Sequence, residues 1–239
     1  MKGKIILISG ATSGIGYCLL KELHLQNEII VIGRDINKLK QIEKTYQNIK
    51  TYQADLSSLS EVQTVCNTIL KDYSTLDILI NNAAVQYQAN FLDKDFKVEN
   101  INKEINTNFT SVCILIHKLL PLLKKSTSPS ILNVNSGLAI VPKKSAAVYS
   151  ATKAAIDSLS KTLRNQFEHT NILVQQIFFE LVDTSMSKNR GKNKLSSSKA
   201  AREVISAIET KVLDYDVGKV KLLRILNKIM PILLFLLLI

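Results

Sequence analysis

Short apolar stretches alternate with longer stretches of helical periodicity along most of this chain. The apolar stretches are hydrophobic at nearly every position, which is typical of strands that are buried on both faces of a sheet. The sequence therefore predicts six strands, at residues 4–9, 28–33, 50–54, 76–81, 130–135 and 171–178.

The stretches between these strands have the apolar periodicity of helices that pack on one side. We predict these helices at residues 14–26, 37–46, 59–73, about 103–125 and 148–169. Regular alternation of strand and helix predicts an α/β fold, a doubly wound Rossmann-type parallel sheet with helices on both faces. No long linker or internal repeat interrupts the pattern, so residues 1–218 are predicted to form one domain.

Two segments near the carboxyl end depart from this alternation. Residues 185–198 are polar and basic, and we predict a loop there. Residues 219–239 form a basic and then apolar tail, in which a helix would place its apolar residues on one face. The last nine residues are too few to span a bilayer, which needs about 20. Two hypotheses stay open: the tail contacts an anionic membrane surface, or it packs on the domain or on a partner subunit.

The composition fits a globular domain with an uneven charge. Hydrophobic residues make up 46% of the 239 positions, and the formal net charge is +11. Residues 186–228 contain eleven Lys and Arg but only four Asp and Glu, so +7 of that charge lies near the carboxyl end. Because no recognised nucleic-acid-binding motif accompanies the charge, we expect no nucleic-acid partner.

The cysteines, the histidines and the amino-terminal residues point to an intracellular protein without a metal. The three cysteines and three histidines are scattered without metal-ligand spacing, so we expect free thiols in a reducing compartment and no metal site. The first apolar run is short and leads into a glycine-rich turn, which favours a strand over a signal peptide. We therefore predict a cytoplasmic protein, whose association with a membrane depends on the tail.

A glycine-rich turn with the sequence SGATSGIG, residues 9–16, connects the first predicted strand to the first predicted helix. Glycine permits positive φ angles and has no Cβ to block a ligand, and a helix N-terminus attracts phosphate groups. A strand before the turn and a helix after it are the context that a dinucleotide site requires. The residues predicted to bind the cofactor here are Gly10, Thr12, Ser13, Gly14, Ile15 and Gly16.

The end of the second predicted strand bears on the choice between NADP and NAD. A carboxylate at this point would bind the adenosine ribose hydroxyls of NAD, whereas a guanidinium favours the additional phosphate of NADP. The chain has Gly33 followed by Arg34, with Asp35 next. We therefore predict that the protein prefers NADP(H) and that Arg34 contacts the cofactor, with NAD as the alternative because Asp35 lies so close.

Tyr149 and Lys153 are four residues apart on a predicted helix, so their side chains share a face. An ammonium group beside a phenol should lower the tyrosine pKa and suit it to acid-base catalysis. A surface Tyr–Lys pair without function has the same spacing. The catalytic interpretation gains support from Ser136, because it ends the fifth predicted strand, where open α/β sheets place ligand-contacting groups.

In their order along the chain, these motifs resemble the classical short-chain dehydrogenase/reductase family over nearly the whole length. The matching features are GATSGIG at 10–16, Asp55, NNA at 81–83, Asn108, Ser136, Tyr149 with Lys153, and VDT at 182–184. More narrowly, AVQ at 84–86, SGLAIVP at 136–142 and VYSATKAA at 148–155 resemble the DltE-like branch.

The resemblance implies an enzyme that transfers hydride between a nicotinamide cofactor and a small carbonyl or alcohol substrate. Tyr149 would be the general acid/base, and Ser136 would hydrogen-bond the substrate oxygen. Lys153 would hold the nicotinamide ribose and lower the Tyr149 pKa, and Asn108 would hold a water of the proton relay. The other cofactor-binding residues implied are Asp55, Leu56, Asn82, Ala83 and Thr184. A homo-oligomer is implied by the family alone.

Three departures from the family pattern leave an alternative function open. Ser9 replaces the usual Thr, and Ala84 replaces the usual Gly. Phe179-Glu180 stands where the family usually has Pro-Gly, at a turn that abuts the nicotinamide. If this turn blocks the nicotinamide, the protein would be a catalytically weak dinucleotide-binding sensor or scaffold.

Overall fold

The computed structural model describes residues 1–87 and 90–230. Its strands are β1 (Ile5–Ser9), β2 (Glu28–Gly33), β3 (Ile49–Gln53), β4 (Ile78–Asn81), β5 (Ser130–Ser136), β6 (Leu173–Phe179), β7 (Val182–Asp183), β8 (Leu195–Ser196) and β9 (Asp214–Asp216). Its α-helices are α1 (Gly14–Leu23), α2 (Ile36–Thr45), α3 (Leu59–Asp72), α4 (Val98–Ile105), α5 (Ser111–Leu123), α6 (Ala147–Gln166), α7 (Ser197–Thr210) and α8 (Val220–Ile229).

Seven strands form one parallel sheet in the order β3-β2-β1-β4-β5-β6-β9. The chain builds outward from β1 to β3, then crosses to the other side of β1 and continues from β4. This reversal of strand order lies between β1 and β4, and ligands of open α/β sheets bind outside the carboxyl ends of the strands at such a point. The predicted doubly wound Rossmann-type fold is therefore confirmed.

Helices cover both faces of the sheet and create two apolar layers. Ile6 and Ile8 of β1 face the layer formed with α1, α2 and α7, whereas Leu7 between them faces the layer formed with α3, α5 and α6. All three side chains are fully buried. A strand with both faces covered needs apolar residues at successive positions, which explains the continuous apolar runs in the sequence.

The hydrophobic pattern of the sequence missed two elements of the sheet domain, strand β9 and helix α7, because both contain many polar residues. Strand β9 has the sequence Asp-Tyr-Asp, and its acidic ends are paired with arginines from α6 and α8. Helix α7 starts inside a serine- and lysine-rich stretch and buries small residues such as Ala200 and Ala207. A pattern search for large apolar residues does not detect either element.

The helix predicted at about 103–125 differs from the structure in its beginning and its continuity. Helix α4 already begins at Val98, and a five-residue π-helical turn, Asn106–Thr110, separates it from α5. Such π-turns are found frequently at functional sites.

The loop predicted at 185–198 contains regular structure. Ser185–Ser187 forms a 3₁₀ turn, β8 pairs in parallel with β7, and α7 begins at Ser197. Within this segment, the Lys194 ammonium group donates a hydrogen bond to the Ser187 carbonyl oxygen at 2.5 Å. The prediction of an unstructured loop over the whole segment was therefore wrong.

The first half of the carboxyl-terminal tail is a helix that packs on the domain. Val220 of α8 is 2% exposed, and the Arg224 guanidinium forms two bonds to the Asp216 carboxylate at 2.6 and 2.7 Å. The same guanidinium lies 4.4 Å from the centre of the Phe178 ring. Residues 231–239 of the predicted tail lie outside the described residues. Within residues 1–87 and 90–230, no helix is long and apolar enough to cross a bilayer.

Candidate active site

A cleft of about 1080 Å³ opens at the carboxyl ends of the parallel strands, where the strand order reverses. Its volume lies just above the usual range for ligand pockets, about 300–1,000 Å³, so it can hold a large ligand. Most of the predicted site residues line it: Gly10, Thr12, Ser13, Gly14, Ile15, Arg34, Asp55, Leu56, Asn82, Ala83, Ser136, Tyr149, Lys153 and Thr184.

The glycine-rich turn leaves room for a ligand beside the start of α1. Gly10 and Gly14 have φ angles of +71° and +56°, which glycine adopts without strain. A Cβ on Gly10 would lie 2.9 Å from the Ala83 Cα, so a side chain there would collide with the backbone that follows β4. Ser13 precedes α1 as its N-cap, and its hydroxyl makes no capping bond within the described residues. The first N–H groups of α1 are therefore available to an anion.

The turn is fastened to the loop after β4 by two polar side chains. The Asn82 amide donates to the carbonyl oxygens of Ser9 and Gly10 at 2.9 and 3.2 Å. The Ser9 hydroxyl accepts from the backbone N–H groups of Asn82 and Ala83 at 3.0 and 3.1 Å. Serine at position 9 thus supplies a hydroxyl that joins β1 to β4.

Gly16 does not line the cleft, although it was predicted to bind the cofactor. It lies beneath the turn, where a Cβ would come within 2.6 Å of both the Gly10 carbonyl oxygen and the Asn82 amide nitrogen. Its structural role is therefore to let α1 pack closely against the turn.

Arg34 and Asp35 have different environments. Arg34 is exposed and lines the cleft, whereas Asp35 is absent from its lining. The Asp35 carboxylate caps α2 by accepting from the N–H groups of Asn37 and Lys38, both at 3.1 Å. A carboxylate that caps a helix is already satisfied by local donors. Asp55, further along the same wall, accepts from the Ser57 backbone and hydroxyl at 2.9 and 2.8 Å.

The predicted catalytic groups Ser136, Tyr149 and Lys153 meet at the other end of the cleft. Lys153 is 4% exposed, donates to the Val134 carbonyl oxygen at 2.8 Å, and lies 5.6 Å from the centre of the Tyr149 ring. Burial lowers the Lys153 pKa to about 8, because the charged ammonium loses hydration.

The Tyr149 pKa moves in the direction opposite to the one expected from its spacing to Lys153. Burial raises it to about 12, and the negative charge of Glu104 adds to the increase. The positive charge of Arg190 and a hydrogen bond with Ser136 lower the pKa but do not offset burial. Tyr149 is therefore a protonated phenol at neutral pH, and the net direction of its pKa runs against the expected lowering by Lys153.

Asn108 also differs from its predicted placement, because it is 1% exposed and does not line the cleft. Its amide accepts from the Val85 N–H and donates to the Val85 carbonyl oxygen, both at 2.8 Å, with a third bond to the Thr152 hydroxyl at 3.2 Å. Both ends of the side chain are thus used to fix the loop after β4. These contacts favour positioning of the cleft wall over a water held by the amide.

Two charged residues beside Tyr149 were missed by the sequence analysis. Arg190 lines the cleft and donates to the side chain and the carbonyl oxygen of Gln86. Glu104 of α4 is 2% exposed and accepts from the Tyr87 N–H at 2.7 Å. Burial raises the Glu104 pKa, while the Tyr87 bond and the Arg190 charge lower it. Nothing in the sequence marks Glu104 as buried, because it stands among other polar residues of an amphipathic helix.

Glu180, which replaces the usual glycine, lies against the start of α8. A Cβ on Gly218 would come within 2.2 Å of the Glu180 Oε1, so the carboxylate occupies the space that the glycine leaves. Beyond it, α8 contributes Leu222, Leu223 and Leu226 to the lining of the cleft. The wall opposite the glycine-rich turn is therefore apolar.

Comparison with known proteins agrees with this geometry. The sequence profile described as short chain dehydrogenase matches residues 4–195 of the chain. The chain belongs to the short-chain dehydrogenase family. The uncharacterized oxidoreductase DltE of Bacillus subtilis is 35% identical over 198 residues, which cover 82% of this chain and 79% of DltE. The predicted family and its DltE-like branch are therefore confirmed, and with them the assignment as a short-chain oxidoreductase.

Two further similar proteins are a curated reductase and a dehydrogenase whose structure was solved with a cofactor. The very-long-chain 3-oxoacyl-CoA reductase of Mus musculus is 31% identical over 216 residues, which cover 87% of this chain and 68% of the mouse protein. A short chain dehydrogenase from Burkholderia cenocepacia, solved in complex with NADP, superposes with a TM-score of 0.89 and 22% identity. This alignment covers 100% of this chain and 98% of the Burkholderia chain, and it supports the fold.

The buried Glu104 generates a prediction about stability. Replacement of Glu104 by Leu should lower the free energy of unfolding by about 1–3 kcal/mol, because the Tyr87 N–H loses its acceptor. Glu104→Gln keeps an acceptor oxygen at the same place and is the matched control, with a smaller loss. Urea denaturation followed by circular dichroism measures both. A leucine variant as stable as the wild type would show that the Glu104–Tyr87 bond does not support the loop.

Proposed function

We propose that the protein is an NADP(H)-preferring oxidoreductase that transfers hydride between nicotinamide and a carbonyl or alcohol substrate, with Tyr149 as general acid/base. The observation that carries this proposal is the convergence of Ser136, Tyr149 and Lys153 at one end of the cleft whose other end is the glycine-rich turn. Assembly into a homo-oligomer stays a prediction from the family resemblance.

The residues present fit a dinucleotide. The space that Gly10 and Gly14 leave open, beside the uncapped N-terminus of α1, suits a pyrophosphate. Lys153 would hold the nicotinamide ribose at the opposite end. When bound, the nicotinamide would supply or accept the hydride, and the protein would orient it and handle the proton.

The preference for NADP(H) rests on the two residues that follow β2. Arg34 is exposed and lines the cleft, whereas the Asp35 carboxylate caps the amino-terminal end of α2. A guanidinium without a competing carboxylate suits the additional phosphate of NADP. Related folds have been solved with NADP and with NADPH, and one with NADH, so NAD remains the alternative cofactor.

The proton chemistry follows from the state of Tyr149. Because its phenol is protonated at neutral pH, Tyr149 can donate a proton to the oxygen of a carbonyl substrate. The Ser136 hydroxyl, beside Tyr149, would hydrogen-bond the same oxygen and stabilise its developing charge. Lys153, whose ammonium nitrogen lies 5.6 Å from the centre of the Tyr149 ring, would favour the phenolate that forms when the proton leaves. Asn108 is a positioning residue that fixes the loop facing these groups.

The alternative function, a catalytically weak sensor or scaffold, depended on Glu180 blocking the nicotinamide. The Glu180 carboxylate instead rests against Gly218 at the start of α8. Although Glu180 lines the cleft, its carboxylate occupies the space beside Gly218, and this placement favours the enzyme.

Tyr149→Phe tests the catalytic assignment. The change removes the hydroxyl that donates the proton, so turnover should fall by at least about 100-fold, while NADPH affinity stays close to wild type. Steady-state NADPH oxidation with a carbonyl substrate and a fluorescence titration measure the two quantities. Tyr87→Phe, another cleft tyrosine, is the matched control and should keep its activity. Equal turnover by wild type and Tyr149→Phe would refute the assignment.

The pH dependence follows from Lys153. Its ammonium form dominates below its pKa of about 8 and is lost above it, so kcat/KM for NADPH should decline as the pH rises through 8. Tyr149, with a pKa of about 12, should stay protonated over that range. Lys153→Arg keeps a positive charge at alkaline pH and should remove the decline. A wild-type profile that is flat from pH 7 to pH 9.5 would contradict this role of the ammonium group.

Arg34→Ala tests the cofactor preference. Loss of the guanidinium should weaken NADPH binding by about tenfold and leave NADH binding nearly unchanged, because only NADPH carries the additional phosphate. Lys38→Ala, an exposed cation nearby that does not line the cleft, is the control and should affect neither cofactor. Equal losses for NADPH and NADH in the Arg34 variant would refute the preference.

A further inference from the structure

Helix α8 carries an apolar stripe that the domain does not cover. Leu222, Ile225 and Ile229 are 57%, 54% and 69% exposed, and their spacing of three and four residues places them on one side of the helix. Single exposed apolar residues are common on protein surfaces, but a contiguous row of large ones on one helix marks an interaction site.

The stripe is continuous with the apolar wall of the cleft. Leu222 belongs to both, because it is largely exposed and also lines the cleft. Leu226, one helical turn after Leu222, and Leu223 also line the cleft. An apolar molecule that approaches α8 therefore meets apolar side chains both on the outer side of the helix and in the lining of the cleft that holds Tyr149.

Positive charge flanks the stripe without negative charge to offset it. Lys221 and Lys228 are exposed on α8, and the sequence has no Asp or Glu after Asp216. The third cation of the helix, Arg224, is paired with Asp216 on the inner side. An apolar stripe beside exposed lysines is the surface that binds the interface of an anionic membrane.

Contacts between the other side of α8 and the domain keep Leu222, Ile225 and Ile229 facing away from the domain. The two Arg224–Asp216 bonds, the contact of Arg224 with the Phe178 ring and the buried Val220 fix the opposite side of α8. The exposed stripe is thus a fixed part of the surface at the mouth of the cleft. In sequence, Met230 and then nine residues without charge, PILLFLLLI, follow the helix.

We propose that α8 docks the protein on an anionic lipid bilayer and that lipophilic carbonyl substrates enter the cleft from that bilayer along Leu222 and Leu226. Charge complementarity selects the bilayer as the occupant of this surface over a second copy of the chain, whose α8 would bring the same positive charge. The docking part stands on the surface alone, whereas the entry of substrate rests on the proposed function.

Co-sedimentation of the full-length protein with vesicles tests the docking. Wild type should bind vesicles of phosphatidylcholine with phosphatidylglycerol more tightly than vesicles of phosphatidylcholine alone. Ile225→Gln combined with Ile229→Gln should weaken binding to the anionic vesicles by about tenfold or more, because two apolar anchors are lost. Neither residue lines the cleft, so NADPH affinity should be unchanged in a fluorescence titration.

Two controls separate the stripe from general surface properties. Leu25→Gln changes an apolar residue that is 75% exposed in the turn between α1 and β2, and it should bind the vesicles like wild type. Lys221→Glu combined with Lys228→Glu should abolish the preference for anionic vesicles, since it reverses the flanking charge.

Three outcomes would overturn the docking. The first is a stripe variant that binds anionic vesicles as tightly as wild type. The second is equal binding of wild type to neutral and anionic vesicles. The third is a stripe variant that changes from oligomer to monomer in light scattering with unchanged vesicle binding, which would assign the stripe to a second copy of the chain.

The entry route is tested by turnover with two aldehydes, one long-chain and incorporated in anionic vesicles, the other short-chain and dissolved in buffer. The stripe variant should lose most of its turnover of the vesicle-borne aldehyde relative to wild type and keep its turnover of the dissolved one. Equal losses, or no loss, would overturn entry from the bilayer. Absence of turnover with both aldehydes in wild type would count against the proposed function, while the sedimentation result would still decide the docking.

Discussion

The close approach of two turns at the point where the strand order reverses determines the rest of the site. The turn after β1 lies so near the loop after β4 that Gly10 leaves no room for a Cβ beside Ala83. The Asn82 amide and the Ser9 hydroxyl join the two turns by four hydrogen bonds. These bonds fix the turn beside the start of α1. Because the Ser13 side chain makes no capping bond within the described residues, the first N–H groups of α1 can receive an anion in the cleft at the carboxyl ends of the strands.

Burial decides the protonation of the catalytic groups at the other end of the cleft. A lysine four residues from a tyrosine would lower its pKa if both were hydrated equally, but both groups here lose hydration. Desolvation disfavours the charged form of each, so the phenol stays neutral and the ammonium becomes easier to deprotonate. The neighbouring charges of Glu104 and Arg190 act on Tyr149 in opposite directions and leave burial dominant.

Most of the fold and the cleft-lining residues were predictable, because they depend on local patterns. Continuous apolar runs identified the doubly covered strands, and the motifs at their ends identified the groups from Gly10 to Thr184 that meet in the cleft. What the sequence could not reveal depends on contacts between distant segments. Gly16 packs under a turn, Asn108 bonds the Val85 backbone, and the buried Glu104 accepts from the Tyr87 N–H. The sequence pattern did not predict strand β9, because its acidic ends look exposed until arginines from two helices pair with them in the fold.

In the carboxyl-terminal tail, the periodicity of apolar residues alone does not decide which surface the helix contacts. The sequence indicated a helix with an apolar face but left open whether that face packs on the domain or meets a membrane. In the structure the apolar residues of α8 divide into two groups, because Val220 and Leu223 lie against the domain and Ile225 and Ile229 face outward. The Arg224–Asp216 ion pair, the contact of Arg224 with the Phe178 ring and the buried Val220 together hold one side of α8 against the domain. These contacts leave α8 with two apolar sides, one that lines the cleft and one that is exposed.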